Sequence, residues 1–156
     1  MRYRFPDNFW WGSACSALQT EGDSMNGGKS QTTWDVWFER QPGRFHQGIG
    51  PAETSTFYRH WKQDIALLKQ LKHNSFRTSL SWARLIPDGV GEVNPQAVSF
   101  YNHVSGELLA SRRQINQLLN WHWKLKPQNG QPELISGWRA ELMAEKLTLL
   151  LQEYPR

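Results

Sequence analysis

Two carboxylates stand out among the residues able to do chemistry: Glu21 in Gln19-Thr20-Glu21-Gly22, and Asp35 in Thr33-Trp34-Asp35. Both fall in turn-rich stretches and could sit at one face of the fold, as an acid–base pair would need. Short acidic side chains in such loops more commonly accept local hydrogen bonds, and that role is expected for both. Cys15 lies just upstream of Gln19. A thiol nucleophile needs a base beside it, and no motif places one there, so an inert small residue is expected. The chain also holds nine Trp, seven Phe and four Tyr. An indole can pack its face on the C–H face of a sugar while its N–H donates a hydrogen bond, or it can simply fill a core. His122, between Trp121 and Trp123, has the same two readings: structural residue or ligand-binding residue.

The elements that must position these groups follow from spacing. Phe9-Trp10-Trp11-Gly12-Ser13-Ala14 suits a short buried parallel strand whose end admits close backbone approach. Residues 23–51 are rich in Gly, Ser, Thr, Asn and Pro and read as a long loop, with one helical turn around Trp34 to Trp37. Phe57, Trp61, Ile65, Leu68 and Leu71 recur at helical spacing, with Thr54 or Ser55 as the expected cap. Asn74 to Leu80 reads as a strand. Asn94-Pro95 then opens a helix whose inner face is Ala97, Tyr101, Val104 and Leu108. The alternation of strand, loop and helix predicts parallel βα units. Further on, Ile115 to Leu119 predicts a third strand, Lys124 to Gly137 a loop, and Arg139 to Tyr154 a helix.

Bulk properties narrow the class. At 156 residues the chain is shorter than the roughly 250 residues of a complete (β/α)8 barrel. No apolar run approaches the about 20 residues of a membrane-spanning helix, so no membrane partner is expected. The net charge of +4 is dispersed, without a basic stripe, so no nucleic-acid partner is expected either. The polar, Pro-broken start and the single cysteine predict a cytoplasmic protein.

Four stretches in order then resemble glycoside hydrolase family 1. They are Phe5-Pro-Asp-Asn-Phe-Trp-Trp-Gly-Ser-Ala with Gln19-Thr-Glu-Gly22; Thr33-Trp-Asp35; Tyr58 to Ile65 leading into Asn74-Ser-Phe-Arg77-Thr-Ser-Leu-Ser-Trp82-Ala-Arg84-Leu-Ile-Pro87; and Gly91-Glu-Val-Asn94 with Phe100-Tyr-Asn102. The opening stretch and Gly48-Ile-Gly-Pro51 look most like 6-phospho-β-glucosidases. Beyond residue 110 the pattern departs: Asn120-Trp-His-Trp-Lys124 carries Lys where the family has Asp.

The resemblance implies an α/β fold, a partial (β/α)8 barrel with its first two or three βα units. It divides the chain into residues 1–110 and a divergent tail, 111–156. It implies hydrolysis of β-glucosides or 6-phospho-β-glucosides, with no metal and no cofactor. It assigns glycone binding to Gln19, His122 and Trp123, and support of the nucleophile to Arg77. A retaining β-glycosidase needs two carboxyl groups about 5–5.5 Å apart. The family supplies them in Asn-Glu-Pro and Glu-Asn-Gly motifs, and neither motif occurs here. No catalytic residue is therefore expected in this chain. The expectations that follow are an inactive relative, half of a split enzyme with a complementing chain, or a non-catalytic sugar-binding or assembly module.

Overall fold

The computed structural model describes residues 3–23, 25–110, 114–120, 125–128 and 131–134, with side chains as far as Leu108. Its contacts divide into two compact units, Met1–His122 and Trp123–Arg156.

The first unit is built on a parallel sheet. Strand β1 (Gly12–Ala14) pairs with β2 (Ser75–Ser81), and β2 pairs with β3 (Gln114–Asn120), giving the order β1-β2-β3. Both pairings are parallel, with Gly12 opposite Ser75 and Ser75 opposite Gln114. Parallel neighbours need crossovers, and helices supply them. Helix α3 (Phe57–Gln70) lies between β1 and β2, and α5 (Pro95–Ala110) between β2 and β3. The predicted βα alternation is thus present. The helical turn expected near Trp34 is a two-turn helix, α2 (Thr33–Arg40). Two short helical turns complete this part, α1 (Ala17–Thr20) directly after β1 and α4 (Trp82–Leu85) directly after β2.

The register sorts residues onto two faces. Phe76, Thr78 and Leu80 point towards the helices, where Phe57, Ile65, Leu68, Ala97, Phe100, Val104 and Leu108 are buried with them. Ser75, Arg77, Ser79 and Ser81 alternate onto the opposite face, joined in register by Gly12 and Ala14. Among the residues whose side chains are described, one face is therefore an apolar core and the other carries small residues around the exposed Arg77.

Some boundaries differ from those read in the sequence. Helix α3 starts after Thr56, which adopts a left-handed conformation (φ 54°) and caps nothing with its side chain; neither Thr54 nor Ser55 is the N-cap. Leu71, expected on the inner face, is exposed because the helix ends at Gln70 and Lys72 turns left-handed (φ 57°). Asn94 does cap α5, accepting from the Gln96 amide at 3.0 Å. The stretch 124–137, read as a loop, contains two antiparallel strands, β4 (Leu125–Gln128) and β5 (Gln131–Leu134). Asn129-Gly130 between them is the dipeptide that two-residue hairpins favour, a signal the loop reading overlooked. The helix predicted for 139–154 lies outside the described residues.

Candidate functional site

The residues at the C-terminal ends of β1 and β2 are held by one buried polar knot. Its centre is Arg84, fully buried at the end of the short turn after β2. Nε donates to Glu21 Oε2 at 2.9 Å, Nη1 to the Asn26 carbonyl at 2.8 Å and Nη2 to the Gly22 carbonyl at 3.5 Å. The guanidinium also lies 3.8 Å from the Tyr58 ring centroid, a cation–π distance. Glu21 completes its coordination through Oε1, which accepts from the Tyr101 hydroxyl at 2.6 Å, while that same hydroxyl accepts from the Ser81 amide at 2.8 Å. Asn94 donates to the carbonyls of Gly27 and Arg84. Five segments remote in sequence thereby converge on one buried ion pair. Burial, and then the adjacent Glu21 charge, push the Tyr101 hydroxyl well above its ordinary value near 10.0.

Asp35 is equally committed. Its Oδ2 accepts from the Thr32 amide and hydroxyl, each at 2.7 Å, and from Lys29 Nζ at 3.2 Å. Thr32 and Asp35 form a capping box at the start of α2. Neither Glu21 nor Asp35 is therefore available as a catalytic acid or base, because each is buried with cationic and neutral donors already in place. Cys15 is half-buried, donating its thiol to the Thr78 hydroxyl at 3.2 Å.

Of the residues assigned to ligand contact, Gln19 and Arg77 lie in the described part. Gln19 is exposed on α1, one turn past β1, and its Oε1 accepts from Ser16 Oγ at 2.6 Å. Its amide nitrogen is left to reach outward. Arg77 is exposed in mid-β2, on the face shared with Ala14, and its carbonyl accepts from the Cys15 amide at 2.9 Å. The sheet thus brings the strand that leads to Gln19 alongside the strand that carries Arg77. His122 and Trp123 lie outside the described residues. Trp82 is a core residue, with its indole N–H donating to the Gly89 carbonyl at 3.3 Å. Arg84 is the residue whose importance was missed; it stood in Trp82-Ala-Arg84, but nothing in the spacing revealed that Glu21 would be its partner. Among the described residues, no group of three or more His, Cys, Asp or Glu side chains could hold a metal ion, and no helix is long and apolar enough to cross a membrane.

A parallel βα sheet with polar side chains gathered at the carboxyl ends of its strands is the construction of barrel enzymes, whose sites lie at that end. The chain belongs to glycosyl hydrolase family 1, whose model matches residues 1–151. It is similar to the 6-phospho-beta-glucosidase GmuD of Bacillus subtilis, with 56% identity over 110 residues, which is 70% of this chain and 24% of that protein. Its fold is similar to that of a beta-glucosidase from Thermotoga maritima, with a TM-score of 0.70 and 32% identity over 76% of this chain and 27% of the other. A different likeness runs to ribonuclease D of Escherichia coli: 78% identity over 59 residues, 38% of this chain and 16% of that protein. The chain spans about a quarter of the length of its glycosidase relatives.

Proposed function

We propose that the chain is the first two or three βα units of a retaining β-glycosidase, carrying part of the glycone-binding wall and none of the groups that break the bond. The observation that carries this reading is family membership combined with the lack of both glutamate motifs in 156 residues. Bond cleavage needs one carboxyl group held protonated for the leaving oxygen and a second, ionised, to attack the anomeric carbon. The two best-placed carboxylates of this chain are consumed by Arg84 and Lys29. Gln19 offers its amide to glycone hydroxyls, and Arg77 projects a cation where the ionised carboxylate would lie. The family resemblance assigns glycone contact to His122 and Trp123 as well. The substrate class is β-glucosides, with 6-phospho-β-glucosides favoured by the likeness to GmuD, and the location is the cytoplasm. Purified protein incubated with chromogenic β-glucoside and β-glucoside 6-phosphate should release no chromophore above a blank. Turnover of either substrate by this chain alone would sink the reading.

A second reading is favoured by the ribonuclease D likeness. Its identity of 78% over 59 residues exceeds that to GmuD. The family 1 motifs occupy residues 5–102, so the 59 residues fit most simply at the other end, where they would begin no later than Val98. The chain then joins a glycosidase segment to a stretch of separate ancestry; at 59 residues that stretch is longer than the 46 residues of 111–156, so at least 13 of its residues would fall within 1–110. On this placement the likeness would overlap the family match, which runs through residue 151. The higher identity favours ribonuclease D there. Titration of a labelled structured RNA with the whole chain discriminates: binding that weakens steeply with salt supports an RNA-directed tail, whereas the glycosidase reading predicts none.

A further inference from the structure

At the carboxyl end of β2 a small polar cavity lies between the α1 turn, at Ala17 and Leu18, and Gly22, Lys29, Thr32 and Ser81. Its volume is about 10 Å³, close to the room one water molecule needs. Two side chains on its wall are buried with hydrogen-bonding capacity to spare. Lys29 is 8% exposed, and its Nζ donates to Asp35 Oδ2 at 3.2 Å, its one side-chain hydrogen bond among the described residues. An ammonium has three N–H donors, so two are left over. Ser81 is 4% exposed; its amide donates to the Tyr101 hydroxyl, while its own hydroxyl has no partner among the described residues. Thr32, by contrast, spends its hydroxyl on Asp35. Buried donors without acceptors are costly, and native proteins satisfy them with protein groups or with water.

Charge and size narrow the occupant. Lys29 is already neutralised by Asp35, so an anion would meet no net positive charge, and a cation would meet the ammonium itself. The volume excludes a sugar, a carboxylate or a phosphate. What fits is a very small neutral molecule that accepts from nitrogen and can both donate to and accept from a hydroxyl.

We propose that this cavity is the site of one resident water, which accepts from Lys29 Nζ and shares a hydrogen bond with Ser81 Oγ. The water joins two polar systems. One is Lys29–Asp35–Thr32 at the start of α2, and the other runs from Ser81 through Tyr101 and Glu21 to Arg84. Bridged in this way, the two buried ion pairs belong to one network beside the α1 turn that carries Gln19. The water's place depends on these side chains alone and not on the glycosidase reading.

The test is a crystal structure of the whole 156-residue chain, grown once from chloride and once from bromide. One peak of water density is expected within about 3.2 Å of both Lys29 Nζ and Ser81 Oγ, with no anomalous bromide signal. No peak there, a direct Lys29–Ser81 hydrogen bond closing the cavity, or bromide in the cavity each overturns the proposal. Ser81→Thr keeps the hydroxyl and adds a methyl group large enough to fill the cavity, at a strand end that suits a β-branched residue. In solution, magnetic relaxation dispersion should count one fewer long-lived water in Ser81→Thr than in the unaltered chain. Equal counts overturn the proposal, and if the variant does not fold, the density in the unaltered chain decides alone.

Discussion

Arg84 and Glu21 illustrate how much one buried pair can organise. Taking two charges out of water costs several kcal/mol each, and the pair persists because every strong donor and acceptor around it is used. Arg84→Met should destabilise the first unit by about 3–5 kcal/mol, because Glu21 is left buried without its cation. The double variant Arg84→Met with Glu21→Gln should recover part of that loss in denaturant titrations. A double variant no more stable than the single one would show that the cost lies in the lost stacking on Tyr58 instead. Tyr101 gives a second prediction at this scale. Burial and Glu21 raise its hydroxyl above the ordinary value, so the folded state favours the protonated form. Its contribution is complete below about pH 10.0 and is lost as pH rises through the elevated folded value. Unfolding midpoints should therefore fall in strong alkali, and Tyr101→Phe should flatten that fall. Equal alkaline slopes for the two proteins would contradict the assignment.

At the scale of elements, β1 is only three residues long and depends on close contact with its neighbour. A Cβ built at Gly12 would lie 2.2 Å from the Ser75 carbonyl oxygen, which no side chain tolerates. Gly12→Ala should therefore push β1 off β2, raising hydrogen exchange at residues 13–20 while α3 and α5 stay protected. Protection unchanged in β1 would show that the strand can shift sideways without cost. The helices were largely legible from the sequence because a 3.6-residue period records which side is buried: Ala97, Tyr101, Val104 and Leu108 are all buried as expected. Their ends were less legible. Thr56 and Lys72 reverse the chain with left-handed backbones that are not glycines, and no compositional sign marks them.

For the whole molecule, the exposed aromatics predict behaviour in solution. With Trp10, Trp11, Trp34, Trp37, Leu67 and Leu71 all open to solvent, the isolated chain should self-associate as concentration rises. Light scattering should show this with little relief from added salt, because the contacts are apolar and Debye screening does not touch them. Dissolution of the assemblies by salt would point to charge pairing in place of apolar contact.

Sequence by itself determined the family, the parallel βα order and the lack of both glutamate motifs, because these reside in local patterns of residue type and spacing. It also placed a helical turn around Trp34 to Trp37, whereas the Thr32 cap that engages Asp35 emerged only from the fold. Only the tertiary structure decided what Glu21 does. Its partners Arg84 and Tyr101 lie 63 and 80 residues away in the chain, and a charge is committed or available according to what folding brings beside it in a water-poor interior. It likewise decided that Arg77 is exposed, since which face of a strand is covered depends on elements supplied from elsewhere in the fold.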